Sequence, residues 1–231
     1  MLEKIAVICA ERIFKYLTEE KLRGKIARDL HDNMGSALSS ISVYGQIAKV
    51  YNQQQRKEDL EQTLDKINET SSEMITEMND IVWAINPRND NMDAILQRME
   101  SFAKPLLASK NIGFNFQFAG ILNFHLELTK RKNFFLIFKE AINNAVKYAD
   151  CTHLSVVLKH SGNHFYMAIS DNGKGFCITN TSEGIKLLDR NGNGGNGLRN
   201  MQLRAAEMKG TLRLKSEPGK GTSVELDFPM P

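Results

Sequence analysis

The chain has 231 residues, 42% of them hydrophobic and 25% charged, a balance typical of soluble globular proteins with room for one large domain or two modest ones. Its 30 basic and 27 acidic residues leave a net charge of +3, too even for a nucleic-acid-binding surface, so no direct contact with nucleic acid is expected. Cys9, Cys151 and Cys177 are too few, too scattered and odd in number for a disulfide framework or a zinc site, which implies a reducing, cytoplasmic setting.

The opening "MLEKIAVICAERIF" carries Glu3, Lys4, Glu11 and Arg12 within a helical pattern, unlike a signal-peptide core. No apolar run approaches the roughly 18 residues that span a bilayer, so no membrane segment is expected in this chain. A helix that begins at residue 2 without a cap reads as continuous with a preceding helix, which would place any membrane anchor upstream of Met1. Lys21, Arg23, Lys25 and Arg28 alternate with Leu22 and Ile26 and read as a solvated helix face.

From Leu2 to about Val50 there is no proline, and Ile26, Leu30, Ala37, Ile41 and Ala48 return at helical intervals. After the polar break "NQQQRKED", Leu60, Leu64, Ile67, Met74, Ile75, Met78, Ile81 and Ile85 repeat every three or four residues until Pro87 stops the helix. The spacing therefore predicts an all-α helical hairpin over residues 1–88. Its apolar stripes exceed what one partner helix covers, and a dimeric four-helix bundle is the economical way to bury them. A monomeric hairpin packed on the second half is the alternative.

The second region, residues 89–231, has a different pattern. A helix from Met92 to about Ser109 leads to the alternating "IGFNFQF", and Thr129 to about Ala149 is helical again. "HLSVVLKH" and "HFYMAIS", separated by "SGN", predict a β-hairpin. A glycine-rich segment, a helix from about Leu198 to Met208, and the strands "TLRLKS" and "SVELDF" around "EPGKG" complete the order. Helices interleaved with hairpins predict an antiparallel or mixed sheet with helices on one face, an α+β two-layer sandwich.

Within that region, Phe138, Ile142, Ala145 and Ala149 form the core stripe of the third helix, while Glu140, Asn144, Lys147 and Tyr148 share a second stripe. A carboxylate, a carboxamide, an ammonium and a phenol then line one side. The amide oxygen of Asn144 suits a hydrated magnesium ion and Lys147 suits phosphate, although a plain solvated face has the same spacing. "SDNGKGF" follows a predicted strand, so Asp171 stands at a strand end, where its carboxylate can accept a hydrogen bond from an exocyclic amine. Gly173 and Gly175 would admit a flat ligand close to the backbone, and the same spacing also occurs in ordinary turns.

Gly192, Gly194 and Gly197 match G-x-G-x-x-G, but "TSEGIKLLDR" before them has no run of β-branched or aromatic residues. The dinucleotide reading therefore lacks its strand. Placed before a helix that starts near Leu198, with Gly195 and Gly197 at its mouth, these glycines read instead as a loop that closes over phosphates at a helix N-terminus. Gly219, Gly221 and Thr222 precede the last strand, and no G-K-[ST] of a P-loop occurs.

Taken together and in this order, E-x-x-x-N, D-x-G-x-G, G-x-G-L and G-x-G-T resemble the four boxes of the ATPase superfamily that groups gyrase, the MutL protein, heat-shock chaperones and histidine kinases. The resemblance implies a Bergerat-type ATP-binding fold. It assigns magnesium to Asn144, adenine to Asp171 with Gly173 and Gly175, phosphate to Lys147, and further nucleotide contacts to Tyr148, Gly195, Gly197, Leu198, Gly219, Gly221 and Thr222.

"RGKIARDLHDNMGSALSSI" is similar to the phosphoacceptor stretch of bacterial two-component sensor histidine kinases of the H-D-x-x-G subfamily, and "MNDIVWAINP" fits the same subfamily. That resemblance covers about residues 20 to 228. It implies an ATP-dependent protein-histidine kinase that phosphorylates His31, with Asp32 on the other ring nitrogen and Glu140 positioning the reacting groups. The partners implied are a second copy of the chain and a response regulator receiver domain with a helix-turn-helix output domain. A neutral imidazole, with an unperturbed pKa of about 6.5, is a competent nucleophile at physiological pH.

One residue departs from the pattern. Many members carry glutamine four residues after the aspartate, where this chain has Ser36, so weak phosphatase activity is expected. Two other readings compete: a nucleotide-gated dimeric binding module without phosphotransfer, and a water-splitting ATPase, which would leave "RDLHD" unexplained.

Overall fold

The computed structural model describes residues 24, 34–35, 37–89, 91–120, 126–181, 184–187 and 196–230. The chain divides into two compact units, Met1–Asn86 and Pro87–Pro231.

In the first unit, helix α1 (37–53) and helix α2 (Lys57–Ile85) form the expected hairpin. The polar break is shorter than its sequence suggests. Helix resumes at Lys57, because Gln55 takes a positive φ of 58° and reverses the chain within one turn, while Arg56 bonds Asp59 and stacks over Tyr51. Ala48 of α1 and Thr63 of α2 are both buried, and Lys66 of α2 lies over the ring of Tyr44 of α1. Asn86 adopts an extended backbone ahead of Pro87, as a residue preceding proline must, and α2 ends there. Leu38, Val43, Val50, Leu64, Ile75 and Val82 remain exposed.

The second unit is the predicted two-layer sandwich. Its five-stranded sheet has the order β1 (Gly113–Ala119), β2 (His153–Ser161), β3 (His164–Asp171), β7 (Thr222–Pro229), β6 (Thr211–Ser216). β1 pairs with β2 in parallel and every other pairing is antiparallel, so the sheet is mixed. Gly162, at φ 58°, opens the two-residue turn from β2 to β3.

Period-two alternation points Leu154, Val156, Leu158, Phe165, Met167, Ile169, Leu226 and Phe228 to one face, all buried. Helices α3 (Met92–Ala108), α4 (Leu128–Asn144) and α5 (Asn196–Glu207) cover that face. Phe134 of α4 meets Phe165 edge-on, with ring centroids 5.3 Å apart, and packs beside Phe228; Phe102 of α3 meets Phe135 and Phe138 the same way. Asn133 is buried and donates to the Glu207 carboxylate at 2.8 Å, tying α4 to the end of α5.

Two details differ from the sequence expectation. "TSEGIKLLDR" is not wholly irregular: β4 (Ile178–Thr181) pairs with β5 (Gly184–Leu187) in a separate antiparallel ribbon. Four-residue strands are too short to display alternation, which is why the pattern hid them. An antiparallel ribbon outside the main sheet still does not supply the parallel βαβ unit that a dinucleotide fingerprint requires. The third helix also does not run as a uniform α-helix to Ala149. Its last turn, Ala145–Ala149, is a π-turn that ends at Asp150 in the left-handed conformation. None of the described helices is long and apolar enough to cross a membrane.

Candidate functional site

Helix α4 carries the first group of predicted residues. Phe138, Ile142, Ala145 and Ala149 are buried as expected of the core stripe. Glu140 and Asn144, one turn apart, are half-buried and bonded to each other, Asn144 Nδ2 donating to Glu140 Oε1 at 3.2 Å. The π-turn follows at once. Because its ladder closes over five residues, Lys147 and Tyr148 do not fall directly above Asn144 as α-helical spacing would place them; both are exposed. The four side chains thus divide into a bonded, half-buried pair and two solvent-facing groups.

The D-x-G-x-G segment leaves the end of β3. Asp171 is half-buried, its Oδ1 accepting the Gly173 N–H at 2.8 Å. Burial raises its carboxyl above the ordinary aspartate range, a rise that the N–H groups of Gly173 and Thr222 partly offset. A desolvated carboxylate of this kind accepts readily from an exocyclic amine.

The glycines are needed for a reason the sequence did not expose. A Cβ on Gly173 would run into the carbonyl oxygen of Ala149, and one on Gly175, at φ 58°, into that of Glu217. A Cβ on Gly221, at φ 77°, would strike the carbonyl oxygen of Asp171. Lys174 N–H donates to Ala149 O at 2.8 Å and Gly219 N–H to Lys174 O at 2.7 Å. The chain's own backbone fills the space next to these glycines, and three segments are laced together behind Asp171. Ser216 completes the lacing: its Oγ receives the Phe176 N–H at 2.9 Å and donates to Gly221 O at 3.1 Å. Thr222 Oγ1 is 3.0 Å from the same hydroxyl.

On the other side, the first turn of α5 approaches α4. A Cβ on Gly197 would meet the Glu140 carboxylate, so Gly197 lets the start of α5 lie against that group; Leu198 beside it is half-buried. Glu140, Asn144 and Gly197 therefore gather at one place, and Asp171, Gly173, Gly175, Gly221 and Thr222 at another within the same unit. Gly219 faces open space. His31, Asp32, Ser36, Gly192, Gly194 and Gly195 lie outside the described residues. Sequence reasoning missed Ser216 and Asn172 as parts of the lacing; only the asparagine's place beside a strand-end aspartate hinted at it.

Comparison with known proteins bears on what this arrangement does. Residues 129–231 match the family model "Histidine kinase-, DNA gyrase B-, and HSP90-like ATPase" and residues 23–90 match the model "Histidine kinase". Among curated proteins, the chain is 25% identical over 208 residues to the sensor histidine kinase YxjM of Bacillus subtilis, covering 90% of this chain and 47% of that protein. It is 22% identical to the signal transduction histidine-protein kinase/phosphatase DegS of Brevibacillus brevis, covering 92% and 52%. The chain thus spans about half the length of the curated relatives it matches. The histidine kinase AdeS of Acinetobacter baumannii superposes with a TM-score of 0.54 at 15% identity, over 81% of this chain and 95% of that one. A blue-light activated histidine kinase of Erythrobacter litoralis gives 0.52 at 15% identity, over 89% and 60%. These two structures share the fold.

Proposed function

Because the chain belongs to the histidine kinase family, we propose that it is a kinase core which moves the γ-phosphoryl group of ATP first to His31 and then to an aspartate of a response regulator. The observation that carries the proposal is the laced main chain around Asp171 together with the Glu140–Asn144 pair, in a chain whose other region holds His31 in the matched phosphoacceptor stretch.

The chemistry assigns each group a task. Asp171 accepts the adenine amine, while Gly173, Gly175 and Gly221 keep the backbone close enough to hold that carboxylate in place. An imidazole nitrogen of His31 forms a bond to the γ-phosphorus as the bond to the β,γ-bridging oxygen breaks, and ADP leaves with that electron pair. Asp32 holds the proton on the other ring nitrogen, and Glu140 positions the reacting groups. An aspartate oxygen of the regulator then takes the phosphoryl group from nitrogen and frees His31.

The bond to Glu140 commits the amide nitrogen of Asn144 and leaves its oxygen as the metal-competent atom, so the residue fits a magnesium ligand. Held there, a magnesium ion would neutralise charge on the phosphate oxygens. Lys147, exposed at the end of the helix, meets phosphate, and Tyr148, Gly195, Leu198, Gly219 and Thr222 complete the nucleotide site. The exposed apolar residues of α1 and α2, with Leu64, Ile75 and Val82 on one face, support a bundle formed with a second copy. The setting is the cytoplasm, and the regulator carries a helix-turn-helix output domain.

The test is incubation with magnesium and γ-labelled ATP. Acid-labile, alkali-stable label on the wild type and none on His31→Gln is the expected result. Release of free phosphate without label would make the chain a hydrolytic ATPase, and tight ATP binding with neither product a nucleotide-gated binding module.

A further inference from the structure

Asn172, the residue between Asp171 and Gly173, is exposed, yet its side chain makes three hydrogen bonds to one short stretch of chain. Its Oδ1 accepts the N–H of Thr152 at 3.0 Å and of His153 at 2.9 Å, and its Nδ2 donates to Thr152 Oγ1 at 2.9 Å. The Asn172 N–H donates to His153 O at 3.2 Å. Thr152 Oγ1 lies 3.0 Å from His153 Nδ1 and donates to it when that ring carries its proton on Nε2.

The place of these bonds gives them their consequence. The β2–β3 ladder ends at the Leu154–Asp171 pair, and at the next step only the Asn172 N–H bond to His153 O joins the two main chains. The Asn172 carboxamide extends the pairing one step by capping the first amide of β2, that of His153, and the Thr152 amide before it, and Gly113 N–H donates to Thr152 O at 2.8 Å, so the capped stretch is itself held by β1. On the far side, Lys174 N–H is held by Ala149 O. The peptide that follows Asp171 is thus pinned on both flanks, which holds the Gly173 N–H where it bonds Asp171 Oδ1 at 2.8 Å and orients the carboxylate. Hydrogen bonding of this kind fixes position cheaply, because only one carboxamide rotamer is ordered.

We propose that Asn172 is a positioning residue that sets base selectivity, holding the Asp171 carboxylate in register with the 6-amino group of the bound purine. The inference rests on the adenine role given to Asp171 in the preceding subsection, and its test separates the two. Equilibrium affinities are measured for ATP and for purine riboside triphosphate, which lacks the 6-amino group, on wild type, Asn172→Ala and Asn172→Asp. Wild type prefers ATP. In Asn172→Ala that preference shrinks about tenfold, the loss of one charge-assisted hydrogen bond, while affinity for the amino-free analogue changes less than about threefold. Asn172→Asp keeps an acceptor for both amides, and Thr152 Oγ1 can donate to its second oxygen, so it retains most of the preference.

Equal losses for both nucleotides in Asn172→Ala, or an unchanged preference, would overturn the inference, leaving Asn172 a purely structural staple. A wild type that does not distinguish the two nucleotides would instead overturn the role of Asp171. Should Asn172→Ala not fold, Asn172→Ser, too short to reach both amides, is measured in its place and read by the same criteria.

Discussion

Gly219 and Gly221 offer a controlled comparison, since they sit in one loop with almost the same φ, 78° and 77°. Replacing either by alanine forces a side chain into the left-handed region, at about 1–2 kcal/mol. Only at Gly221 does the new methyl collide: beyond the Asp171 carbonyl oxygen, it would stand 2.9 Å from Asp171 C and 3.1 Å from Asn172 Cα. Ordinary carbon contacts lie near 3.5–4.0 Å, so the loop or the Asp171 peptide must shift by roughly half an ångström or more. Overpacking of that degree adds about 1–3 kcal/mol, giving about 2–5 kcal/mol in all for Gly221→Ala against about 1–2 for Gly219→Ala. For a unit of this size the difference corresponds to several degrees of melting temperature. The displaced peptide is the one that aims Asp171, so ATP affinity should fall about tenfold further in Gly221→Ala than in Gly219→Ala. Thermal unfolding and equilibrium ATP titration of both variants read the two effects. Equal melting shifts, or ATP affinity preserved in Gly221→Ala, would refute the reasoning.

The raised carboxyl of Asp171 gives a second expectation. A folded-state value above the unfolded one means that this group's contribution to stability is present at low pH and lost as pH rises through the folded value. Asp171→Asn, which keeps an oxygen for the Gly173 N–H, should therefore leave the melting temperature at neutral pH equal or higher while ATP affinity falls at least about tenfold; a lowered melting temperature with intact binding would contradict it. In wild type, ATP affinity should weaken as pH falls from neutral, and should do so at a higher pH than an ordinary aspartate would require, as titration across that range will show. Glu207→Ala leaves the buried Asn133 amide without its 2.8 Å acceptor and should cost about 1–3 kcal/mol in denaturant unfolding, with ATP affinity unchanged. If the side chain at position 36 limits phosphatase activity, Ser36→Gln should speed ADP-stimulated dephosphorylation of the cognate regulator; a wild type that is equally fast would refute that.

What the sequence revealed and what it hid follow from the range of the interactions involved. Helix α2, the β2–β3 hairpin and the core stripe of α4 were legible because one buried face imposes a period on neighbouring residues, and Phe138, Ile142, Ala145 and Ala149 carry that period openly. β4 and β5 were not legible, since four residues hold too little alternation to rise above their polar surroundings. The π-turn at Ala145–Ala149 was invisible for a different reason. Its sequence is ordinary for a helix, and the extra residue in its ladder goes with tertiary demand: the Ala149 carbonyl receives the Lys174 N–H at 2.8 Å, and Asp150 then turns left-handed.

The same distinction explains why the glycines could be found from sequence while their main-chain neighbours could not. Spacing within D-x-G-x-G and G-x-G-T is a local property and survives in one dimension. The partners of those glycines, Ala149 for Gly173, Glu217 for Gly175 and Asp171 for Gly221, lie up to 50 residues away and meet them through main-chain atoms, which leave no compositional trace. A segment held by backbone-to-backbone approach has little side-chain redundancy, so a single methyl acts on the whole of it. The role proposed for Asp171 is accordingly exposed to mutations that change no charge and no hydrogen-bonding side chain. Two side chains add to that lacing, Ser216 and Asn172, and Asn172 does so from an exposed position where burial gives no hint of its use.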